Sequence, residues 1–425
     1  EIFLNPYEKS ETLSQKLDID VKELIVIYRL EQNSRLLQKI FDEESPRANY
    51  IQLLKWLLRN KAHTQKIIDG EIVYPQRLEL HLGERCQASC VFCYGQGRTY
   101  ADLAKSLKTL SPEEVSRLIN ECADHKTEHV NITGGLEPLL SESFIRATET
   151  ASRRNMDIYI YTNCLALNQK DIIEAVLKAK QLRVSMSGAT PEMYSKMMRL
   201  PKKIFAQVKE NIKQLIKLRD SKKSPLKVGI SMVVNKDNYR ELFDFVELAK
   251  ELSLDFVDLR YVYADLMEDF KPDQKKELMS MLDHLNLKIK DKDYHGLQVN
   301  SGDRFQTIRG VTSEIGTLLF PQKEYFQRGI YPLLTTIDPF GRVFGLTIAA
   351  NPAMPGGEEH LLGRVSEQTG LIDVLKAANQ KKFNFDNSTL LTPFAVSTLQ
   401  GLKKIQEDIS FGVNIEDQPL SLMQA

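Results

Sequence analysis

Leu78-Glu79-Leu80-His81-Leu82 is followed, after a three-residue spacer, by Cys86-Gln87-Ala88-Ser89-Cys90-Val91-Phe92-Cys93. Apolar residues at every second position read as a β-strand, so the three cysteines stand in the loop that leaves its end. Their spacing is C-x3-C-x2-C, and Tyr94 and the loose Gly95-Gln96-Gly97 follow at once. Thiolates are soft ligands, and a short loop carrying three of them suits an iron–sulfur cluster or a zinc ion. A closed structural zinc site or an electron-transfer cluster takes a fourth protein ligand. Three ligands leave one metal position open, where a substrate or cosubstrate can bind.

Away from this loop the pattern from 77 to 262 alternates strand and helix. Strands are expected at 77–82, 129–133, 157–161, 182–187, 227–234 and 256–261. Ser111-Pro112-Glu113-Glu114 supplies an N-cap, a first-turn proline and acidic residues for a helix reaching about His125. Thr190-Pro191-Glu192 does the same after the fourth strand, and further helices are expected near 203–218 and 239–252. Six strands joined by helical crossovers imply right-handed βαβ units and a parallel sheet. The expected fold is therefore α/β, a partial (β/α)6 barrel whose site lies on the rim at the strands' carboxyl ends.

Residues 1–76 read as a helical cap, with a capping-box-like Ser10-Glu11-Thr12-Leu13, helical spacing over 21–30 and 50–58, and Trp56 on the apolar face. A DNA-reading helix-turn-helix is the sharper reading of that region. The balance of 57 basic and 57 acidic residues and the want of a basic recognition helix speak against it. No apolar run reaches bilayer length and Glu1-Ile2-Phe3-Leu4-Asn5-Pro6 is unlike a signal peptide, so a cytoplasmic protein with no membrane or nucleic-acid partner is expected. Only five cysteines occur in 425 residues, three of them in one loop, which is no disulfide framework. Cys122 and Cys164 read as small core residues. Residues 263–425 read as an irregular extension, with helices at 272–287, 371–380 and 389–408 and a β-hairpin over 333–344 turning at Pro339-Phe340-Gly341.

The rim segments add candidates. Gly134-Gly135-Leu136-Glu137-Pro138 follows the second strand, where paired glycines admit a ligand to the backbone and Glu137 offers a carboxylate to an ammonium. Tyr161-Thr162-Asn163 ends the third strand and Ser185-Met186-Ser187-Gly188 the fourth. Their hydroxyls and amide suit a ribose or carboxylate, or equally cap a neighbouring helix. Arg260 and Tyr261 end the sixth strand, and an inward arginine there is either a structural ion pair or a substrate-anion contact.

Taken jointly and in this order, these segments resemble the radical S-adenosylmethionine (SAM) superfamily. The resemblance implies one [4Fe–4S] cluster on Cys86, Cys90 and Cys93 and SAM at the open iron. It implies SAM contacts from Phe92, Tyr94, Gly134, Gly135, Glu137, Asn163, Ser185, Ser187 and Val234, the last packing the adenine. Leu136 is an insertion relative to the family's Gly-Gly-Glu-Pro, which leaves open which carboxylate or carbonyl meets the SAM amine. The extension resembles those that carry auxiliary clusters, but Leu346, Thr347 and Ile348 stand where cysteines would, and no cysteine follows Cys164. A single cluster and a substrate-covering extension are expected.

Within the superfamily, Gly134-Gly135-Leu136-Glu137-Pro138-Leu139, Tyr161-Thr162-Asn163, Arg183-Val184-Ser185-Met186-Ser187-Gly188 and Asp338-Pro339-Phe340-Gly341-Arg342-Val343-Phe344 resemble the enzymes that deaminate TDP-linked amino-deoxy sugars. What this implies is a 5′-deoxyadenosyl radical that takes hydrogen from a carbinol carbon of a sugar-type small molecule, in natural-product biosynthesis. Elimination of an amino group or oxidation to a ketone follows, and a flavodoxin- or ferredoxin-like donor supplies the electron. Rival readings are a radical SAM dehydratase or dehydrogenase of a nucleoside or aminoglycoside and a peptide-modifying maturase. From another class comes a zinc-binding interaction module completed by His81, which is expected to alternate off the rim.

Overall fold

The computed structural model describes residues 71–93, 98–261, 270–290, 296–301, 334–353 and 356–378, with His63, Lys66, Tyr294 and Phe305 as isolated positions. The expected N-terminal helices, Tyr94 and the 389–408 helix lie outside the described residues. The chain divides into two compact units, residues 74–317 with 327–390, and residues 1–73 with 318–326 and 391–425. The first contains the elements that follow.

Strands β1 (Arg77–Gly83), β2 (His129–Gly135), β3 (Asp157–Thr162), β4 (Gln181–Ser185), β5 (Lys227–Val234) and β6 (Phe256–Tyr261) pair in parallel, each beside the next in sequence. β7 (Gln298–Ser301) adds a further parallel strand beyond β6. Helices cross between the strands: α1 (Arg98–Leu103) and α2 (Pro112–Asp124), α3 (Phe144–Arg153), α4 (Lys170–Val176), α5 (Pro191–Met198) and α6 (Lys203–Lys222), then α7 (Leu242–Glu251) and α8 (Pro272–Lys290). The even-numbered residues of β1, β3, β4 and β5, such as Leu78, Leu80, Ile158, Ile160, Leu182, Val184, Val228 and Ile230, are almost wholly buried. They form the layer between sheet and helices.

Local chemistry explains the helix starts. Ser111 accepts from the Glu114 amide, while the Glu114 carboxylate accepts from the Ser111 amide at 2.8 Å, a complete capping box in front of Pro112. Thr190 accepts from the Met193 amide at 3.2 Å and opens α5. Replacing Ser111 by alanine removes one cap bond from an otherwise intact helix. A loss of about 1 kcal/mol is expected in urea unfolding.

The hairpin forms from β8 (Leu334–Ile337) and β9 (Arg342–Phe344), with Gly341 at a φ of 80° in the turn. Asp338 holds it: one carboxylate oxygen accepts from the Phe340 and Arg342 amides, and the other takes the Arg342 Nε at 2.6 Å. The hairpin does not stand apart as an extension. β8 pairs in parallel with β1, and β9 pairs with β10 (Leu361–Arg364). Among the described residues the result is one ten-stranded sheet, ordered β10-β9-β8-β1-β2-β3-β4-β5-β6-β7, whose end strands β10 and β7 do not pair with each other. The barrel is thus partial, and α9 (Leu371–Ala378) packs on β10.

Candidate active site

The cysteine loop leaves β1 at the carboxyl rim and is held from two sides. The last carbonyls of α5 have no partner within the helix. Those of Met197 and Met198 accept from the Val91 and Ser89 amides at 2.9 and 3.3 Å, which pins the loop to that helix end. On the other side, Leu136 and Glu137 donate their amides to the carbonyls of Gly83 and Arg85 at 2.7 and 3.0 Å. Cys86, Cys90 and Cys93 are each half-buried. Phe92 is half-buried in the same loop.

The glycines of the second loop are required by close approach. Gly134 and Gly135 both have positive φ, 54° and 60°. A β-carbon on Gly134 would meet the His81 ring at 2.2 Å, and one on Gly135 would meet the Gly83 carbonyl oxygen at 2.2 Å. For Gly135→Ala we expect a loss of about 2–4 kcal/mol in urea unfolding, because left-handed strain adds to a backbone collision.

Glu137 does something other than wait for an ammonium. Its side chain is buried, with one oxygen accepting from Thr162 Oγ1 at 2.6 Å and the Leu139 amide at 3.1 Å, and the other from the Asn163 amide at 2.8 Å. The carboxylate therefore ties the end of β2 to the end of β3. Burial raises its pKa from 4.5 to about 7 against the three hydrogen bonds that lower it. Asn163, aligned by that bond, turns its amide to Cys86 Sγ at 3.5 Å and to Gln87 Oε1 at 3.2 Å. Its carbonyl oxygen accepts from the Leu165 amide at 3.0 Å.

Two other expected contacts change. Val234 belongs with Val228, Ile230 and Met232, fully buried on the helix side, whereas Val233 is half-buried on the opposite face. Val233, and not Val234, therefore faces the lumen from the end of β5. Ser187 is buried at a φ of 51°, and its hydroxyl accepts from the Val233 amide at 3.0 Å, joining β4 to β5. Ser185 stays half-buried on the inner face beside Ser231. Tyr261 stacks on Phe270 at 5.5 Å, and Arg260 is exposed.

The inner face of the barrel holds residues that the motifs did not single out. Arg183 reaches past β5 to pair with Asp258 on β6, which side chains on a concave face can do. Asn300 of β7 donates to Asp258 at 2.7 Å, and the Arg183 guanidinium lies 4.6 Å from the Tyr161 ring centre. His81 is buried beneath Gly134 with Nε2 3.1 Å from Glu79. A strand buried on both faces reads as a continuous apolar run. Polar residues at alternate positions, Glu79 and His81, Tyr159 and Tyr161, Arg183 and Ser185, were the available signal for a lined interior.

These residues fit an iron–sulfur cluster. Burial, with Cys93 nearby, holds the thiols of Cys86 and Cys90 above their ordinary pKa, so each resists ionising beside the others. A coordinating cation reverses that opposition, because a metal-bound thiol is deprotonated. Among the described residues no three His, Cys, Asp or Glu side chains gather as they would around a single ion. A cluster instead gives each thiolate its own iron.

An open α/β barrel with an incomplete thiolate set at its carboxyl rim defines a class of cofactor-dependent enzymes. Residues 80–249 match the model of the radical SAM superfamily, whose members use a [4Fe–4S] cluster and SAM. A dTDP-4-amino-4,6-dideoxy-D-glucose ammonia-lyase of Streptomyces venezuelae is 24% identical over 315 residues, 72% of this chain and 64% of that protein. The chain thus spans just under two thirds of that relative's length. The GTP 3′,8-cyclase of Aquifex aeolicus is 27% identical over 251 residues, covering 55% of this chain and 74% of that one. Among solved structures, Streptococcus suis SuiB superposes with a TM-score of 0.53 at 15% identity, covering 88% of this chain and 82% of that one. That likeness is one of fold.

Proposed function

We propose that the enzyme abstracts hydrogen from a carbinol carbon of a nucleotide-linked amino-deoxy sugar, after which the substrate radical expels the neighbouring amino group or is oxidised to a ketone. The observation that carries this reading is the inner wall below the cysteine loop. It presents Tyr161, Arg183, Ser185 and Arg260 rather than an apolar surface, which suits a small, hydroxylated, charged molecule. The similarity to a sugar ammonia-lyase supports the same reading, and both named relatives act on nucleotide phosphates.

When bound, the cluster and SAM supply a 5′-deoxyadenosyl radical by one-electron cleavage of SAM, the electron coming from a flavodoxin- or ferredoxin-like donor. Cys86, Cys90 and Cys93 would hold the cluster, with the Asn163 amide orienting Cys86. The backbone of Gly134 and Gly135, with the Ser185 hydroxyl and Val233, would face SAM. In the elimination branch the hydroxyl proton leaves to a base and the C–N bond breaks to release ammonia. One further electron and proton complete the product. In the oxidation branch the radical loses the same proton and passes one electron to the oxidised form of that donor protein, which leaves a ketone. The lined wall fixes which carbon faces the radical.

A second reading, a nucleoside-directed cyclase, dehydratase or dehydrogenase, is favoured by the GTP 3′,8-cyclase similarity. Protein reconstituted anaerobically and reduced with dithionite should form 5′-deoxyadenosine from SAM. Deuterium should pass from the carbinol carbon of a TDP-amino-deoxy sugar into 5′-deoxyadenosine, with ammonia released. Transfer only from a nucleoside triphosphate would replace the sugar reading with the second one.

A further inference from the structure

The Arg183–Asp258 pair is only partly used within the fold. Asp258 engages one nitrogen of the guanidinium, while Nε and Nη1 are buried and make no hydrogen bond among the described residues. Burying a guanidinium donor without an acceptor is costly, and a purely structural pair at this site would satisfy its donors. Arg260, two residues nearer the rim on β6, places a second guanidinium 5.9 Å from the same Tyr161 ring centre. Two cations thus share one aromatic ring, and Asp258 offsets one of them. Tyr161 and Arg183 are half-buried and Arg260 is exposed, so the cluster opens toward the rim.

We propose that Arg183 and Arg260, ordered on Tyr161, form the subsite that holds the phosphate oxygens of the substrate's nucleoside diphosphate. This deepens the reading above and rests on the substrate being nucleotide-linked. A phosphate brings several strong acceptors to donors that lack one, and guanidinium geometry matches it. Tyr161 limits the sideways freedom of both side chains, and Asp258, held by Asn300, sets the tilt of Arg183. The carboxylate of SAM presents the same oxygen chemistry. Arg183 shares β4 with Ser185, but Arg260 stands on β6, beyond β5, the last strand whose residues would face SAM.

The test is equilibrium binding to anaerobically reconstituted protein, with thymidine diphosphate, thymidine and SAM as separate probes. Two variants are used. Arg260→Gln alters an exposed side chain; Arg183→Gln combined with Asp258→Asn removes both charges of the buried pair, so neither is left uncompensated. Circular dichroism and iron content verify the fold of each. Thymidine diphosphate affinity should fall at least tenfold in both variants. It should weaken with salt in the wild type, with thymidine binding much more weakly and SAM affinity kept within about threefold. Unchanged thymidine diphosphate binding in both variants would overturn the proposal. So would a loss confined to SAM, which would assign the oxyanion to its carboxylate. No detectable diphosphate binding by the wild type would also overturn it. The enzymatic reading fails separately: protein that binds the diphosphate through these arginines but forms no 5′-deoxyadenosine keeps the subsite and loses the reaction.

Discussion

Replacing Cys90 by alanine is expected to abolish 5′-deoxyadenosine formation, by at least about a hundredfold, and to strip the protein of most of its iron and sulfide. The other two cysteines cannot take its place. Cys122 is fully buried on α2 and Cys164 is fully buried after β3, its carbonyl engaged by Asn211 at 2.9 Å. The loop itself should survive, because Met197 and Met198 hold it through the backbone amides of Val91 and Ser89, which the substitution leaves untouched. The Cys90 side chain is also in sulfur–sulfur contact with Met198 at 3.6 Å, so removing it costs packing at that point alone. Far-UV circular dichroism and the urea midpoint of the apoprotein should therefore stay near wild type while iron, sulfide and SAM cleavage vanish together. Wild-type SAM cleavage by the variant would refute the assignment of Cys90 as a cluster ligand.

The second large effect is at Glu137. Replacing it with alanine leaves the Leu139 and Asn163 amides buried without an acceptor and frees Thr162 Oγ1. At about 1–3 kcal/mol for each of the two orphaned amides, the loss should be about 2–6 kcal/mol in urea unfolding. The loss should also reach the cluster, because Asn163 would no longer be aligned on Cys86. Lower iron retention than in wild type is the readout. Glu137→Gln separates packing from charge through pH. With a folded pKa of about 7 against an ordinary 4.5, the folded chain keeps a proton between these values that the unfolded chain releases. The Glu137 contribution to wild-type stability should then be greatest at and below about pH 4.5, fall as pH rises toward 7, and level off above it. A full traverse is worth about 3 kcal/mol, and Glu137→Gln should lack this component. An identical pH course in the two proteins would place the proton elsewhere.

How far the chain could be read without its tertiary structure depended on the range of the contact involved. The six parallel strands follow from alternation within five to eight residues, and the starts of α2 and α5 from Ser111-Pro112 and Thr190-Pro191. The incomplete thiolate set is contained in eight consecutive residues, so its chemistry was legible at once. Each of these is a local property of the chain.

What the tertiary structure decided was long-range. Leu334 to Ile337 pair with Arg77 to Leu80, which draws the hairpin into the sheet; nothing in either segment specifies that partner, because backbone hydrogen bonds carry no sequence label. The role of Glu137 turned on a neighbour 26 positions away, and the direction of Val234 on which face of β5 meets the helices. Arg183 and Asp258 meet because curvature brings β4 and β6 together across β5. Sequence alone determined the chemistry of the cysteine loop, since ligands close in the chain are close in space. The lining of the lumen below it was decided by the curving of the sheet, which brings together residues that the chain keeps far apart.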